Sequence, residues 1–195
     1  ILIKNGTIVT SVNEYKADIL VEGEKIVSIG EKLDSGSHEV VDACGMYVLP
    51  GGVDQHTHFD ALCNVGDRDT RGYETTDAAI VGGTTTIVEY APQEPGMGLI
   101  DSIIYRRDKR AKGKIAVDFS FHALVTEVSD RIFDEIPNLP RYGVPSVKMF
   151  MAYKGSPLYV DDGTLYKALL AAKTAGVTVF VHAENADITD MLQKQ

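Results

Sequence analysis

Short apolar runs alternate with polar breaks over the first fifty residues. Ile1-Leu2-Ile3 and Thr7-Ile8-Val9-Thr10 flank Asn5-Gly6, and Ile19-Leu20-Val21, Ile26-Val27-Ser28-Ile29, Val40-Val41 and Tyr47-Val48-Leu49 follow. Runs of this length, rich in β-branched residues, predict strands. Asn5-Gly6 predicts a hairpin turn, because both residues tolerate positive φ. Residues 1–50 therefore read as a small antiparallel β unit, ended by Pro50-Gly51-Gly52.

Beyond Pro50 the rhythm changes. Apolar cores centre near His56, Val88, Phe121, Phe150 and Phe180, at separations of 32, 33, 29 and 30 residues. One strand plus its crossover helix takes ~30 residues. The clearest intervening helix starts after an Asp161-Asp162 cap, places Leu165, Ala168, Leu169 and Ala172 on one stripe, and stops at Gly176. Strands alternating with helices predict an α/β fold with a parallel sheet. Residues 51–195 hold about five such units, which fit an open doubly wound sheet or the first part of a barrel. An open sheet usually carries a glycine-rich phosphate turn. No GxGxxG is present, and Gly82-Gly83 precedes a strand instead of following one. A (β/α)8 barrel takes ~250 residues, so a barrel would be incomplete within this chain.

Composition narrows the classes. The chain has 195 residues, 44% of them hydrophobic and 24% charged, an ordinary globular balance. A net charge of −9 disfavours nucleic acid and anionic lipid as partners. No apolar run approaches the ~20 residues of a membrane span. Cys44 and Cys63 lack metal spacing and read as reduced thiols, which points to the cytoplasm. No signal peptide is visible, and Ile1 already lies within a strand, so a few upstream residues are expected to be missing.

Three segments carry candidate chemistry. In Asp54-Gln55-His56-Thr57-His58, residues two apart on a strand share a face. His56 and His58 could then hold one metal, or they could be inert histidines at a strand end. In Ser146-Val147-Lys148-Met149-Phe150-Met151, one lysine interrupts an apolar strand. A buried ammonium needs a partner or must lose its charge. Lys148 either snorkels from an edge or reacts with CO2 to become an anionic carbamate able to bridge two metals. In Val179-Phe180-Val181-His182, a histidine again ends an apolar strand; alone it reads as a core or supporting residue. Three strands that each bring a metal-competent side chain to the same rim favour a site together, since barrel sites sit at the C-terminal rim. His38 reads as a loop residue and His122 as structural. Cys63 reads as part of a packed loop, and the Met149/Met151 alternation as packing.

These segments resemble the hydantoinase/dihydropyrimidinase branch of the cyclic amidohydrolases. The resemblance rests on the HTH segment, Gly82-Gly83-Thr84-Thr85-Thr86, the block Lys148 to Lys154, His182-Ala183-Glu184-Asn185 and the opening Leu2 to Val9. It covers essentially the whole chain. It implies the N-terminal portion of a metal-dependent (β/α)8 barrel, preceded by a small β-sandwich built from both chain ends. It implies two zinc ions, with His56 and His58 on the more buried one, His182 on the other, and a carboxylated Lys148 bridging both. It implies that Tyr153 binds substrate and donates a hydrogen bond to the oxyanion formed at its carbonyl.

The implied reaction is hydrolysis of the ring amide of a hydantoin or 5,6-dihydropyrimidine to an N-carbamoyl amino acid by a metal-bridging hydroxide. Family members are usually homotetramers. A further histidine and an aspartate complete the family's site from later strands, so the 195 residues alone are expected to be inactive. The segment Ala61 to Thr76 departs from the family's usual loop, which bears on substrate preference. Asp60 follows the HTHF segment, where a dihydroorotase carries an arginine two residues after its second histidine; this disfavours a carboxylate-bearing substrate. Allantoinase and a non-catalytic scaffold of the collapsin-response-mediator type remain alternatives, the latter disfavoured because all four ligand positions are retained. A sugar- or phosphate-binding α/β domain lacks its phosphate loop.

Overall fold

The computed structural model describes residues 1–60 and 72–194. Cys63 and most of the Ala61–Thr76 segment lie outside the described residues. The chain divides into two compact units, Ile1–Gly51 and Gly52–Gln195.

The first unit is one mixed sheet. Its strands are β1 (Leu2–Val9), β2 (Glu14–Glu22), β3 (Lys25–Gly30), β4 (Val40–Asp42) and β5 (Tyr47–Val48). β1 is central: β2 pairs with it antiparallel, while β4 and β5 both pair with it parallel. The wholly antiparallel expectation therefore holds only for β1–β3. The expected sandwich requires a second sheet, and among the described residues this unit contributes one.

The Asn5-Gly6 hairpin does not form. β1 runs straight through it, and the register with β2 shifts between Ile3 and Gly6. Asn5 does adopt positive φ, at 61°, but the result is a bulge and not a reversal. Polar anchors hold it: the Asn5 amide N–H donates to Asp18 Oδ1, and its side chain donates to Asp42 Oδ1. Gly6 is required by space, because a Cβ there would lie 2.5 Å from Val48 Cγ2.

The second unit is a five-stranded parallel sheet of β6 (Gly52–Thr57), β7 (Thr84–Pro92), β8 (Asp118–Leu124), β9 (Ser146–Phe150) and β10 (Thr178–His182). Spatial order follows chain order, β6-β7-β8-β9-β10, and every pairing is parallel. Each of the five apolar cores picked out by spacing falls inside one strand. Between and after the strands lie α1 (Asp77–Val81), α2 (Leu99–Tyr105), α3 (Asp130–Glu135), α4 (Asp162–Ala175) and α5 (Ala186–Gln193). α4 begins where its cap predicts: the Asp161 carboxylate accepts from the Thr164 N–H at 2.7 Å. It ends at Gly176, whose φ of 66° closes the last turn. Ala168 and Ala172 are buried, whereas Leu169 is exposed.

Period-two alternation sorts the strand residues onto two faces. Ala91, Phe121, Ala123, Val147, Met149 and Val179 pack against Leu99, Ile103, Ile132, Ile136, Ala168 and Ala172. This is the helix side. His56, Tyr90, His122, Lys148, Phe180 and His182 occupy the alternate positions and so share the opposite face. Among the described residues no helix is long and apolar enough to cross a membrane.

Candidate metal centre

Two histidines anchor the cluster at the carboxyl end of β6. The His56 and His58 rings lie 5.1 Å apart, centroid to centroid. Tyr90 of β7 fills the space beside them. Its ring stacks on His58 at 5.0 Å and 15°, and its hydroxyl lies 3.2 Å from His56 Nδ1. Burial pulls the His58 pKa down, with neighbouring His56 adding to it. His58 is thus held neutral, the ligating form of imidazole. An open concavity of about 290 Å3, lined by Asp54, His56, Thr57, His58 and Phe59, lies over the pair.

Lys148 is the third position of β9 and only 8% exposed. Its Nζ lies 4.9 Å from the Phe150 ring centroid and 5.9 Å from that of Tyr90. Among the described residues no carboxylate lies within ion-pair distance of it. Desolvation lowers its pKa, favouring the free amine. The residue does not snorkel; it sits between aromatic rings on the face that carries the histidines.

His182 ends β10. Its ring stacks on Phe150 at 5.1 Å and lies 5.6 Å from that of Tyr153. Its Nε2 is 3.3 Å from Glu184 Oε1. Tyr153 follows β9 with φ at 63°, an unusual backbone for a bulky residue, and is 48% exposed. The strands therefore bring His56, His58, Lys148, Tyr153 and His182 to one end of one sheet.

His122, read from sequence as structural, is hydrogen-bonded at both ring nitrogens. Nε2 is 2.8 Å from the Gln55 carbonyl. A carbonyl only accepts, so Nε2 carries the proton, and Nδ1 is left to accept from the Ser146 hydroxyl beside it. Burial lowers its pKa. Both nitrogens being engaged, His122 ties β8 to β6 and β9.

Sequence reasoning passed over Tyr90 and Glu89. Tyr90 looks like an ordinary strand aromatic. Glu89 had a signal: a carboxylate within Ile87-Val88-Glu89-Tyr90-Ala91 is as anomalous as Lys148 within its own strand. Glu89 is fully buried, and burial raises its pKa.

Neutral imidazoles suit zinc. Among the described residues no three His, Cys, Asp or Glu side chains converge as a metal cage. The donor set present is thus an imidazole pair, a desolvated amine and one further imidazole. An ammonium has donors and no lone pair, so Lys148 could join that set only in an uncharged form, as the amine itself or as the oxygen donor that its addition to CO2 would give.

No family model matches the chain. It is 45% identical to a D-hydantoinase of Geobacillus stearothermophilus, over 100% of this chain and 41% of that protein. It is 42% identical to a D-hydantoinase of Ralstonia pickettii, over 99% of this chain and 42% of that protein. The crystal structure of a dihydropyrimidinase from Brevibacillus agri superposes with a TM-score of 0.89 at 43% identity, covering 100% of this chain and 42% of that one. The chain thus spans about two-fifths of the length of these relatives. By sequence and by fold it belongs to the hydantoinase/dihydropyrimidinase family and corresponds to the N-terminal portion of its members.

Proposed function

We propose that the intact protein opens the ring amide of cyclic ureides, hydantoins or 5,6-dihydropyrimidines, to N-carbamoyl amino acids, using zinc held at this sheet end. The observation that carries the reading is Lys148: a buried amine with no carboxylate partner among the described residues, on the same face as His56, His58 and His182. A desolvated, uncharged amine is the form that adds to CO2. That addition releases one proton and leaves a carbamate whose single negative charge is shared by two oxygens, enough to serve two cations at once. His56 and His58 would hold one zinc, His182 the other, and carboxylated Lys148 both. Bound zinc would polarise a carbonyl and make water a usable nucleophile at neutral pH.

The chain's own residues orient and exclude. Tyr90 and His122 fill the sheet face around the ligands and limit water there. Tyr153 stands outward on its left-handed backbone, where its phenol can donate to the oxygen of a carbonyl as negative charge develops. Relatives more than twice as long support a closed barrel, with a sandwich completed by later residues. The retained ligand positions favour catalysis over a metal-free scaffold.

The test is turnover of hydantoin and dihydrouracil by the intact protein, with zinc content measured before and after chelation. Loss of turnover on chelation and its return with zinc are expected. A zinc-loaded, folded protein inert on both compounds would overturn the substrate class.

A further inference from the structure

On the helix side of the sheet, directly behind the histidines, lies a second set of contacts. Thr57 stands between His56 and His58 and points the other way. Its hydroxyl donates to Glu89 Oε2 at 2.8 Å, and the Phe59 N–H donates to the same oxygen at 3.0 Å. Thr57 and Glu89 are register partners across β6 and β7. The next residue, Asp60, is gripped from the helical segment after β7. Arg106 Nη1 donates to its carboxylate at 3.0 Å and to its carbonyl at 3.2 Å. Arg110 donates to the same carboxylate through Nε and Nη2. Arg106 is itself buried and pairs with Glu94.

We infer that Glu89 is a positioning residue: a buried carboxylate that fixes the backbone on either side of His58 and so sets the direction of both imidazoles. The β6 ladder cannot do this alone. Its register with β7 breaks between Asp54 and Thr57, so regular pairing is lost at His56, and His58 lies beyond the last register pair. Glu89 replaces that pairing with two hydrogen bonds accepted at one oxygen. Removing it would take that acceptor from the Phe59 N–H and leave the Thr57 hydroxyl with only the Val88 carbonyl, 3.3 Å away. The local backbone would then relax, and the histidines would turn with it. Glu89 touches neither histidine.

The inference rests on the reading of His56 and His58 as zinc ligands, and the experiment separates the two. Zinc affinity of the intact protein is measured by competition with a chromophoric chelator, alongside the unfolding midpoint of the metal-free protein. His56→Ala serves as the ligand control. Glu89→Ala should weaken zinc binding by about 10–100-fold, the usual effect of losing a group that orients a ligand. Glu89→Gln should bind close to the wild-type value, since an amide oxygen can accept both bonds. Thr57→Val removes one donor without removing the carboxylate and should weaken binding less than Glu89→Ala; it carries the test if Glu89→Ala fails to fold. Folded Glu89→Ala and Thr57→Val proteins with wild-type zinc affinity, while His56→Ala has lost metal, would overturn the positioning role. A wild-type protein whose zinc binding is absent or indifferent to His56→Ala would overturn the ligand reading, and the inference with it.

Discussion

The Tyr90 hydroxyl lies 3.2 Å from Nδ1 of His56. A phenol can donate or accept, so it can accept a hydrogen bond from Nδ1–H and leave Nε2 with its lone pair for a metal. Tyr90→Phe keeps the ring stacked on His58 and removes only this bond. Zinc affinity should fall by about tenfold, at the low end of such effects, with the unfolding midpoint unchanged. Chelator competition reads the first and thermal melting the second.

His56→Ala and His58→Ala in the intact protein should each strip zinc while the fold survives, because both side chains border an open concavity and not the packed helix side. Metal analysis and circular dichroism together check this. A variant with full zinc and normal turnover would make the pair structural.

Lys148→Ala should lose metal and activity together. The mutation leaves a gap of roughly the removed side chain, which a short carboxylic acid such as acetate or propionate can enter. Partial recovery of zinc and turnover is expected with the acid and not with chloride at equal ionic strength. Electron density in a zinc-loaded crystal should extend past Nζ by one planar carboxyl group.

Tyr153→Phe should lower kcat by about 10²–10³-fold, the scale of losing one oxyanion donor. Zinc content should not change, and KM should change little. Equal loss of zinc and rate would instead make Tyr153 a support for the ligands.

Gly6→Ala tests the bulge in β1. Its Cβ would meet Val48 Cγ2 at 2.5 Å, so stability should fall by about 1–3 kcal/mol, as in other overpacked sites. Denaturant unfolding of the intact protein measures it, and zinc content should be unaffected.

What sequence reading recovers here follows from what is local. Strand spacing and the capped helix from Asp162 to Ala175 are periodic or contiguous signals, and they survive folding. His56, His58, Lys148 and His182 stand out because each is polar at or within an apolar run. Asn5-Gly6 misleads because its positive φ suits a bulge as well as a turn, and only distant Asp18 and Asp42 decide between them. Tyr90 and the Asp60–Arg106–Arg110 contacts are hidden for the same reason: Tyr90 lies 34 residues from His56, and the arginines lie 46 and 50 residues from Asp60. Glu89 sits between these cases, anomalous in sequence but without meaning until Thr57 is placed opposite.

The sequential order of the parallel sheet has a consequence for biosynthesis. Each strand adds to the edge left by the one before, so the sheet can grow as the chain leaves the ribosome. His56 and His58 arrive first, and Lys148 follows 90 residues after His58. At typical synthesis rates that gap is about 5–20 s. During it Glu89 and Tyr90 are made, and the histidine pair is open to any metal ion that two imidazoles can hold. On the proposed two-zinc reading, Lys148 and His182 join the pair only with β9 and β10, so a metal held by the histidines would stay open to exchange until those strands dock.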